Sequence, residues 1–179
     1  MFQNNISLQP FNTFGIAASA KRFIEVTSLE TLFEVVAKHK DVLILGGGSN
    51  ILLTKDIDRP VVHLNTKGIE VINDNEDTVL VKAQAGENWH EFVLWCLANN
   101  FGGLENLSLI PGNVGTSPMQ NIGAYGVEIK DTFVSLEALE IESGRIKTFM
   151  PRIVNLAIVN LFLKTFIKVN LSYLMSPLN

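Results

Sequence analysis

The chain has 179 residues, which suits one domain or two small ones and is long enough to bury a hydrophobic core. Apolar residues make up 47% of the sequence and charged residues 18%, so the composition excludes a disordered chain, and the net charge of −4 excludes any electrostatic argument for a nucleic-acid partner. The only cysteine is Cys96, which excludes a disulfide framework and a thiolate metal cluster, and no metal site is predicted.

The predicted elements mix strands and helices without a regular repeat. Strands are predicted over residues 21–26, 42–45, 61–64, 69–72, 79–83, 133–141 and 145–149. The last four of these form two hairpins. Ser28 and Asn88 are predicted N-caps of two helices, the second of which runs to about residue 99. This irregular order favours an α+β fold over a doubly wound parallel sheet.

A glycine-rich turn follows the predicted buried strand at residues 42–45. It consists of Gly46, Gly47, Gly48, Ser49 and Asn50. Backbone N–H groups in such a turn can form an anion-binding nest, to which the serine and asparagine add side-chain donors. It is not a Walker loop, because no Gly-Lys-Ser/Thr follows. It is not a dinucleotide fingerprint either, because the glycine pattern differs and an apolar, strand-like run at residues 51–53 follows where a helix should begin. On this motif alone, a phosphate contact and a plain turn between strands are both open.

Residues 102–126 form a second unusual segment, with six glycines, two prolines and no periodicity. A loop of this length is usually functional or disordered, and its many apolar side chains argue against disorder. We therefore expect an irregular, buried segment that wraps around a group that is not protein. Together with the glycine-rich turn, it suits a cofactor with a pyrophosphate and a large planar head.

The other chemically capable residues carry weaker signals. His90 and Glu91 match part of a zinc motif, but no second histidine follows, so a helix-surface pair is the interpretation. Cys96 lies on the apolar face of its predicted helix and is expected to be a core thiol. Glu105 and Glu128 are candidate acids; for Glu128, a bond to a ribose or ring and a structural role are equally open.

Four segments, in order along residues 10–149, carry a family resemblance. They are Asn12-Thr13-Phe14-Gly15, residues 43–50, Ala85-Gly86-Glu87-Asn88-Trp89 and residues 103–128. Within the last, IPGNVGTSPMQNIGAYG is highly specific. On these motifs the chain resembles the UDP-N-acetylenolpyruvoylglucosamine reductases (UDP-N-acetylmuramate dehydrogenases).

The resemblance implies a flavoprotein oxidoreductase of peptidoglycan synthesis, and hence of cell-wall formation, cell shape and division. It implies an FAD-binding α+β module of the p-cresol methylhydroxylase type, made of two small subdomains and followed by a substrate domain. In the family, NADPH reduces the flavin, which passes hydride to the enolpyruvyl double bond of a nucleotide-sugar, and a general acid protonates the adjacent carbon.

The resemblance also implies which residues hold FAD. The pyrophosphate is assigned to Gly46, Gly47, Gly48, Ser49 and Asn50. The flavin and ribityl chain are assigned to Ile110, Pro111, Gly112, Val114, Gly115, Thr116, Met119, Gln120, Asn121, Gly123 and Ala124. Tyr125 lies in the same motif without an assigned role, and no catalytic residue is assigned.

The tail departs from the family. Residues 150–179 contain three of the 14 basic residues and none of the 18 acidic ones, so they carry +3 against −7 for the rest. The family continues with a Phe-Gly-Tyr-Arg motif, a serine acid and a late glutamate, none of which is present. One allowed codon set for residues 154–164, read one base earlier, encodes Cys-Lys-Phe-Gly-Tyr-Arg-Glu-Ser-Ile-Phe-Lys. We therefore expect a single-base loss between Phe149 and Met150.

The resulting expectation is a first FAD-binding subdomain at residues 1–65, a partial second one at 66–149, an out-of-frame tail at 150–179 and no substrate domain. Such a chain would bind FAD at most. The alternatives are a non-enzymatic flavin-binding or partner-binding module and a genuine short protein whose tail associates with membranes. No signal peptide opens the chain and no uncharged apolar run reaches the ~18 residues of a membrane span, so a cytoplasmic protein is expected.

Overall fold

The first third of the chain forms a mixed four-stranded sheet in this computed structural model, which describes residues 1–75, 77–150 and 166–178. The strands are β1 (Gln3–Ser7), β2 (Ser19–Val26), β3 (Leu43–Leu45) and β4 (Val61–Leu64), in the order β1-β2-β4-β3. β1 is antiparallel to β2, whereas β2 and β3 both run parallel to β4.

Three of these strands confirm the sequence prediction, and β1 was missed. β1 is an edge strand whose side chains are exposed apart from the half-buried Ile6, so no apolar alternation marks it. The apolar residues 51–53 form no strand; Leu53 instead packs in a small core on one face of the sheet.

Helix α1 (Leu29–Lys38) links β2 to β3. Ser28 is its N-cap, as predicted, because its Oγ accepts a hydrogen bond from the Thr31 N–H at 3.3 Å. Leu32, Val35 and Val36 form the buried face of the helix. They pack with buried residues of β2 and β4 in one core cluster.

A second, antiparallel sheet occupies the rest of the described chain. Its strands are β5 (Ile69–Asp74), β6 (Val79–Gln84), β7 (Phe101–Gly102), β10 (Phe133–Glu140), β11 (Arg145–Phe149) and β12 (Phe166–Pro177). The order is β11-β10-β12-β6-β5, and β7 pairs with the end of β12. The intervening β8 (Gly123–Ala124) and β9 (Val127–Glu128) form a separate short hairpin. Both predicted hairpins and the α+β class are confirmed.

The tail contributes a central strand of this sheet. β12 lies between β10 and β6 and pairs antiparallel with both. Val169, Leu171, Tyr173 and Met175 point into the core at 0–1% exposure. The apolar run at residues 153–163 that the sequence singles out lies outside the described residues. The out-of-frame origin expected for residues 150–179 is a statement about the gene and stays a prediction.

Helix α2 (Trp89–Ala98) covers the inner face of the second sheet. Asn88 caps it as predicted, since its Oδ1 accepts a hydrogen bond from the Glu91 N–H at 3.1 Å. Trp89, Phe92 and Cys96 face the core. Neither described helix has the length and hydrophobicity to cross a membrane.

Candidate cofactor-binding site

The glycine-rich turn lies at the end of β3 and is held against the segment after β1. Gly48 O accepts hydrogen bonds from the N–H of Thr13 at 3.1 Å and from its Oγ1 at 3.2 Å. Gly48 has a φ of +63°, and a Cβ there would overlap the carbonyl oxygen of Phe11. The backbone N–H groups of residues 47–50 donate to no other group in the described part of the chain, so they are available to an anion.

The second glycine-rich segment docks directly against this turn. Ser49 Oγ donates a hydrogen bond to Pro111 O at 3.2 Å, which joins the two loops. Gly112 O in turn accepts from the Trp89 N–H at 3.0 Å, at the start of α2. The N–H of Gly115 donates to Ala85 O at 2.9 Å. Both loops are therefore anchored to regular elements, one to β3 and the other to the β6–α2 junction.

A 3-10 helix (Val114–Gln120) continues the second segment and is stabilised internally. Thr116 Oγ1 accepts from the Asn113 N–H at 3.2 Å and lies 2.8 Å from Asn113 O. The helix ends at Asn121, whose φ of +43° is left-handed. This turn reverses the chain and leads into the β8–β9 hairpin.

The two loops enclose a cavity of about 330 Å³. It is lined by Ile44, Leu45, Gly46, Gly48, Ser49, Asn50, Ile51, Trp89, Ile110, Pro111, Asn113, Thr116, Ser117, Met119 and Ile122. A second, more open cavity of about 880 Å³ adjoins it at Ile110 and Ile122. Its other walls come from Asn121, the β8–β9 hairpin, Lys130 and Asp131. The pair makes a path from the glycine-rich turn to the hairpin.

Most of the predicted cofactor residues meet at these cavities. Those that line one or both are Gly46, Gly48, Ser49, Asn50, Ile110, Pro111, Thr116, Met119, Asn121, Gly123 and Ala124. Gly47, Gly112, Val114 and Gly115 are not among the lining residues, and the Gln120 side chain lies outside the described part of the structure.

The predicted residues outside the lining pack the loops together. A Cβ on Gly47 would lie 2.7 Å from Asn113 Oδ1, and one on Gly115 would lie 2.6 Å from the Ala85 Cβ. The Val114 side chain is fully buried in the core, so it offers a ligand nothing but backbone. Gly47 therefore lets the two loops approach each other, whereas Gly115 lets the second loop approach Ala85, and Val114 fixes that loop to the core.

The smaller cavity also has lining residues that the sequence did not predict: Ile44, Leu45, Ile51, Trp89, Asn113, Ser117 and Ile122. Trp89 belongs to a segment that carries the resemblance, but its helical spacing assigned it to the core alone. Trp89 belongs to the core and also lines the cavity. Its ring is buried, and its Nε1–H donates to Leu107 O at 2.8 Å. Ser117 lies in the segment IPGNVGTSPMQNIGAYG, which also carries the resemblance, but the resemblance assigned it no role.

The residues present fit a dinucleotide with a planar head. The turn offers N–H groups to a pyrophosphate, and Ile110 and Ile122 offer apolar surface to a ring. Asn121 Oδ1 is buried and accepts no hydrogen bond from the described residues. A buried acceptor without a donor is costly, so a donor on a ligand is the natural partner for it.

The titratable groups around the cavities are mostly paired. Glu128 forms an ion pair with Lys130, and this contact, followed by a hydrogen bond with Asn121, holds the pKa of Glu128 below its usual value. Glu105 Oε2 accepts from the Gly103 N–H at 2.6 Å. Cys96 is the predicted core thiol, and burial raises its pKa to about 12. Within the described ranges, no group of acidic, histidine or cysteine side chains could hold a metal ion.

The family of FAD binding domains matches residues 20–149, and the chain belongs to that family. It is therefore a flavin-binding domain by class.

Among curated proteins, the UDP-N-acetylenolpyruvoylglucosamine reductase of Flavobacterium johnsoniae is 61% identical over 149 residues, covering 82% of this chain and 44% of that protein. The reductase of Pseudomonas putida is 49% identical over 152 residues, covering 83% of this chain and 45% of that protein. The recognition from sequence is confirmed, and the chain corresponds to the N-terminal part of these relatives, less than half of their length.

Solved structures agree on the fold. The UDP-N-acetylenolpyruvylglucosamine reductase of Thermus caldophilus matches with a TM-score of 0.75 at 19% identity, covering 100% of this chain and 64% of that one. A solvent-stable cholesterol oxidase matches with a TM-score of 0.65 at 16% identity, covering 98% of this chain and 38% of that one. The structural likeness thus extends over β12, beyond the end of the family match at residue 149.

Proposed function

We propose that this chain forms the FAD-binding part of a UDP-N-acetylenolpyruvoylglucosamine reductase. The observation that carries the proposal is the meeting of two glycine-rich loops at one cavity, in a chain 61% identical to such a reductase over 149 residues. In the complete enzyme, the substrate would be the nucleotide-sugar, the reductant NADPH and the location the cytoplasm. The product would serve peptidoglycan synthesis.

In this proposal the two loops divide the cofactor between them. The pyrophosphate would lie on the glycine-rich turn, where the N–H groups of residues 47–50 would donate to it, while the Ser49 hydroxyl keeps its hydrogen bond to Pro111 O. The ring and ribityl chain would lie along Ile110, Met119 and the β8–β9 hairpin. Asn121 Oδ1 would accept a hydrogen bond from the ring or the ribityl hydroxyls. Bound FAD would supply hydride transfer from NADPH to the enolpyruvyl double bond.

We propose further that the 179-residue chain binds FAD without catalysing this reaction. The resemblance assigns the carboxylate-binding arginine, the serine acid and the late glutamate to family motifs that this sequence does not contain. The chain's own residues would bind and orient the flavin and exclude water from part of it. Proton delivery to the product carbon would need a residue that the family supplies elsewhere.

The test is an FAD titration of the purified chain, followed by flavin fluorescence, with Ser49→Ala and Ser143→Ala as a matched pair. Ser143 lies in the β10–β11 turn, where its Oγ donates to Glu140 Oε2 at 2.5 Å, far from the cavity along the chain. Ser49→Ala removes the hydrogen bond that joins the two loops, which is worth ~0.5–1.5 kcal/mol, so it should weaken FAD binding by about three- to tenfold. Ser143→Ala should bind as the unaltered chain does.

Saturable one-to-one binding that depends on Ser49, together with no NADPH oxidation in the presence of the nucleotide-sugar, supports both parts. Absence of FAD binding to the unaltered chain refutes the first part. Turnover of the nucleotide-sugar refutes the second.

A further inference from the structure

Tyr173 links the tail strand to the cofactor cavity. It lies on β12, in the part of the chain beyond the family match, and its side chain is fully buried. Its ring packs against three aromatic rings, those of Trp89 at 5.9 Å, Phe92 at 5.2 Å and Phe133 at 6.2 Å between centroids. Trp89 is itself a wall of the cavity.

The hydroxyl of Tyr173 makes a directed contact with the second loop. It lies 3.1 Å from Ser117 Oγ, which in turn lies 2.7 Å from Val114 O. A carbonyl oxygen only accepts, so the single proton of the Ser117 hydroxyl goes to Val114 O. Tyr173 must then donate to Ser117. Burial raises the pKa of Tyr173, which keeps this proton in place.

This relay stabilises the 3-10 helix that forms one wall of the cavity. Ser117 is buried, and with Thr116 and Met119 it lines the cavity from within the helix. The Gly115 N–H anchors the start of this helix to Ala85 O at 2.9 Å, and the relay ties the next turn to β12. Without the relay, that turn would depend on short-range hydrogen bonds, and 3-10 helices are poorly stabilised by such bonds.

We infer that Tyr173 is a positioning residue for the cofactor: through Ser117 it fixes the helix Val114–Gln120 in the geometry that FAD requires. The inference rests on the proposed function. It gives β12 a role at the cofactor cavity in addition to its place in the second sheet. A sequence read in the other frame after Phe149 would have a different residue at position 173, so this positioning role is inferred for the 179-residue sequence only.

The test compares Tyr173→Phe with Met175→Leu in the full chain. Both residues face the core from the same strand, and the methionine side chain has no proton to donate to a hydrogen bond. Tyr173→Phe keeps the ring and removes the donor, so it should weaken FAD binding by about three- to tenfold, the worth of one hydrogen bond. Met175→Leu should lower the melting temperature while FAD binding changes by less than about twofold.

Ser117→Ala completes a double-mutant cycle. It leaves the Tyr173 hydroxyl buried without an acceptor, so it should weaken FAD binding more than Tyr173→Phe does. The double variant pairs two apolar groups and should bind FAD better than Ser117→Ala alone. Binding losses that simply add, or that follow the melting temperature across all variants, overturn the inference.

A second measurement does not depend on FAD. Hydrogen exchange in the apo chain should be faster at the N–H groups of residues 116, 117 and 119–121 in Tyr173→Phe and unchanged there in Met175→Leu. If the unaltered chain binds no FAD, the proposed function fails, and this exchange pattern alone decides whether Tyr173 braces the helix. Equal exchange in both variants overturns the inference.

Discussion

Replacing Gly48 with alanine should break the contact that holds the glycine-rich turn. Gly48 and Gly15 have nearly identical φ values of +63° and +62°. An alanine at either position would cost the same ~1–2 kcal/mol of stability, because its backbone would have to adopt a left-handed conformation. Nothing lies within 4 Å of a Cβ built on Gly15, so Gly15→Ala measures that penalty alone.

Gly48→Ala carries an additional steric cost. Its Cβ would lie 2.9 Å from Asn12 Cα and 2.9 Å from the Phe11 carbonyl carbon, and would overlap the Phe11 oxygen. Because these atoms are backbone, the turn must move away from residues 11–13. Overpacking of this kind costs about 1–3 kcal/mol, and the two hydrogen bonds from Thr13 to Gly48 O add about 1 kcal/mol each if lost. We expect Gly48→Ala to be less stable than Gly15→Ala by about 2–4 kcal/mol.

Thermal unfolding and FAD titration check this difference. For a chain of this size, 1 kcal/mol shifts the melting temperature by about 2–4 °C, so the two variants should differ by at least about 4 °C. The displaced turn should also bind FAD more weakly in Gly48→Ala, while Gly15→Ala should bind as the unaltered chain does. Equal melting temperatures for the two variants would show that residues 11–13 do not hold the turn, and would refute the reasoning.

Three further predictions concern buried polar and titratable groups. Asn12→Ala should lower the free energy of unfolding by about 2–4 kcal/mol in a denaturant titration. The reason is that Asn12 Oδ1 accepts a hydrogen bond from the Ile16 N–H at 2.9 Å, while its side-chain amide donates to Leu8 O and Ile16 O. A change under about 1 kcal/mol would contradict this. Cys96 should react with a thiol reagent at pH 8 only as fast as the chain unfolds, because burial raises its pKa to about 12; fast labelling of the native chain would contradict this. Burial lowers the pKa of Lys168 to about 7 in the folded chain, so above that pH the unfolded chain binds more protons than the folded one. The free energy of unfolding should therefore rise between pH 7 and 9. Lys168→Met should abolish this rise, whereas Lys38→Met, at an exposed position, should keep it.

The helices and hairpins were predictable because short sequence patterns mark where they begin and turn. Ser28 and Asn88 each precede an apolar face at helical spacing, and each caps a helix in the structure. The two hairpins follow from apolar runs on either side of polar turns. β1 escaped prediction because an exposed edge strand needs no apolar pattern, and its pairing with β2 is a property of the backbone.

The site was predictable as two loops but not as one cavity. The glycines of each loop are visible in the sequence, but neither loop has a pattern that predicts the hydrogen bond from Ser49 Oγ to Pro111 O. Trp89 and Ser117 were missed for the same reason, since both reach the cavity through contacts between segments distant in sequence. The packing glycines were assigned to the cofactor because close approach to a ligand and close approach to a second loop place the same demand on a glycine.

Residue 149 remains the most informative position in the sequence. The family match ends there, and no acidic residue follows it. The regular burial pattern of β12 does not contradict an out-of-frame origin, because a central strand needs only backbone pairing and alternate apolar side chains, which a tail rich in Leu, Ile and Val supplies.

We therefore predict that the gene, sequenced through codons 145–155 and beyond codon 179, encodes a second domain in the shifted frame, with a serine and a late glutamate at the family's motifs. Restoring one base at the boundary of Phe149 and Met150 should then yield a chain that oxidises NADPH in the presence of the nucleotide-sugar. If the shifted frame encodes nothing of this kind, the frame-loss hypothesis is wrong. The chain is then a flavin-binding protein in its own right, and its tail strand was selected together with the loops that it supports.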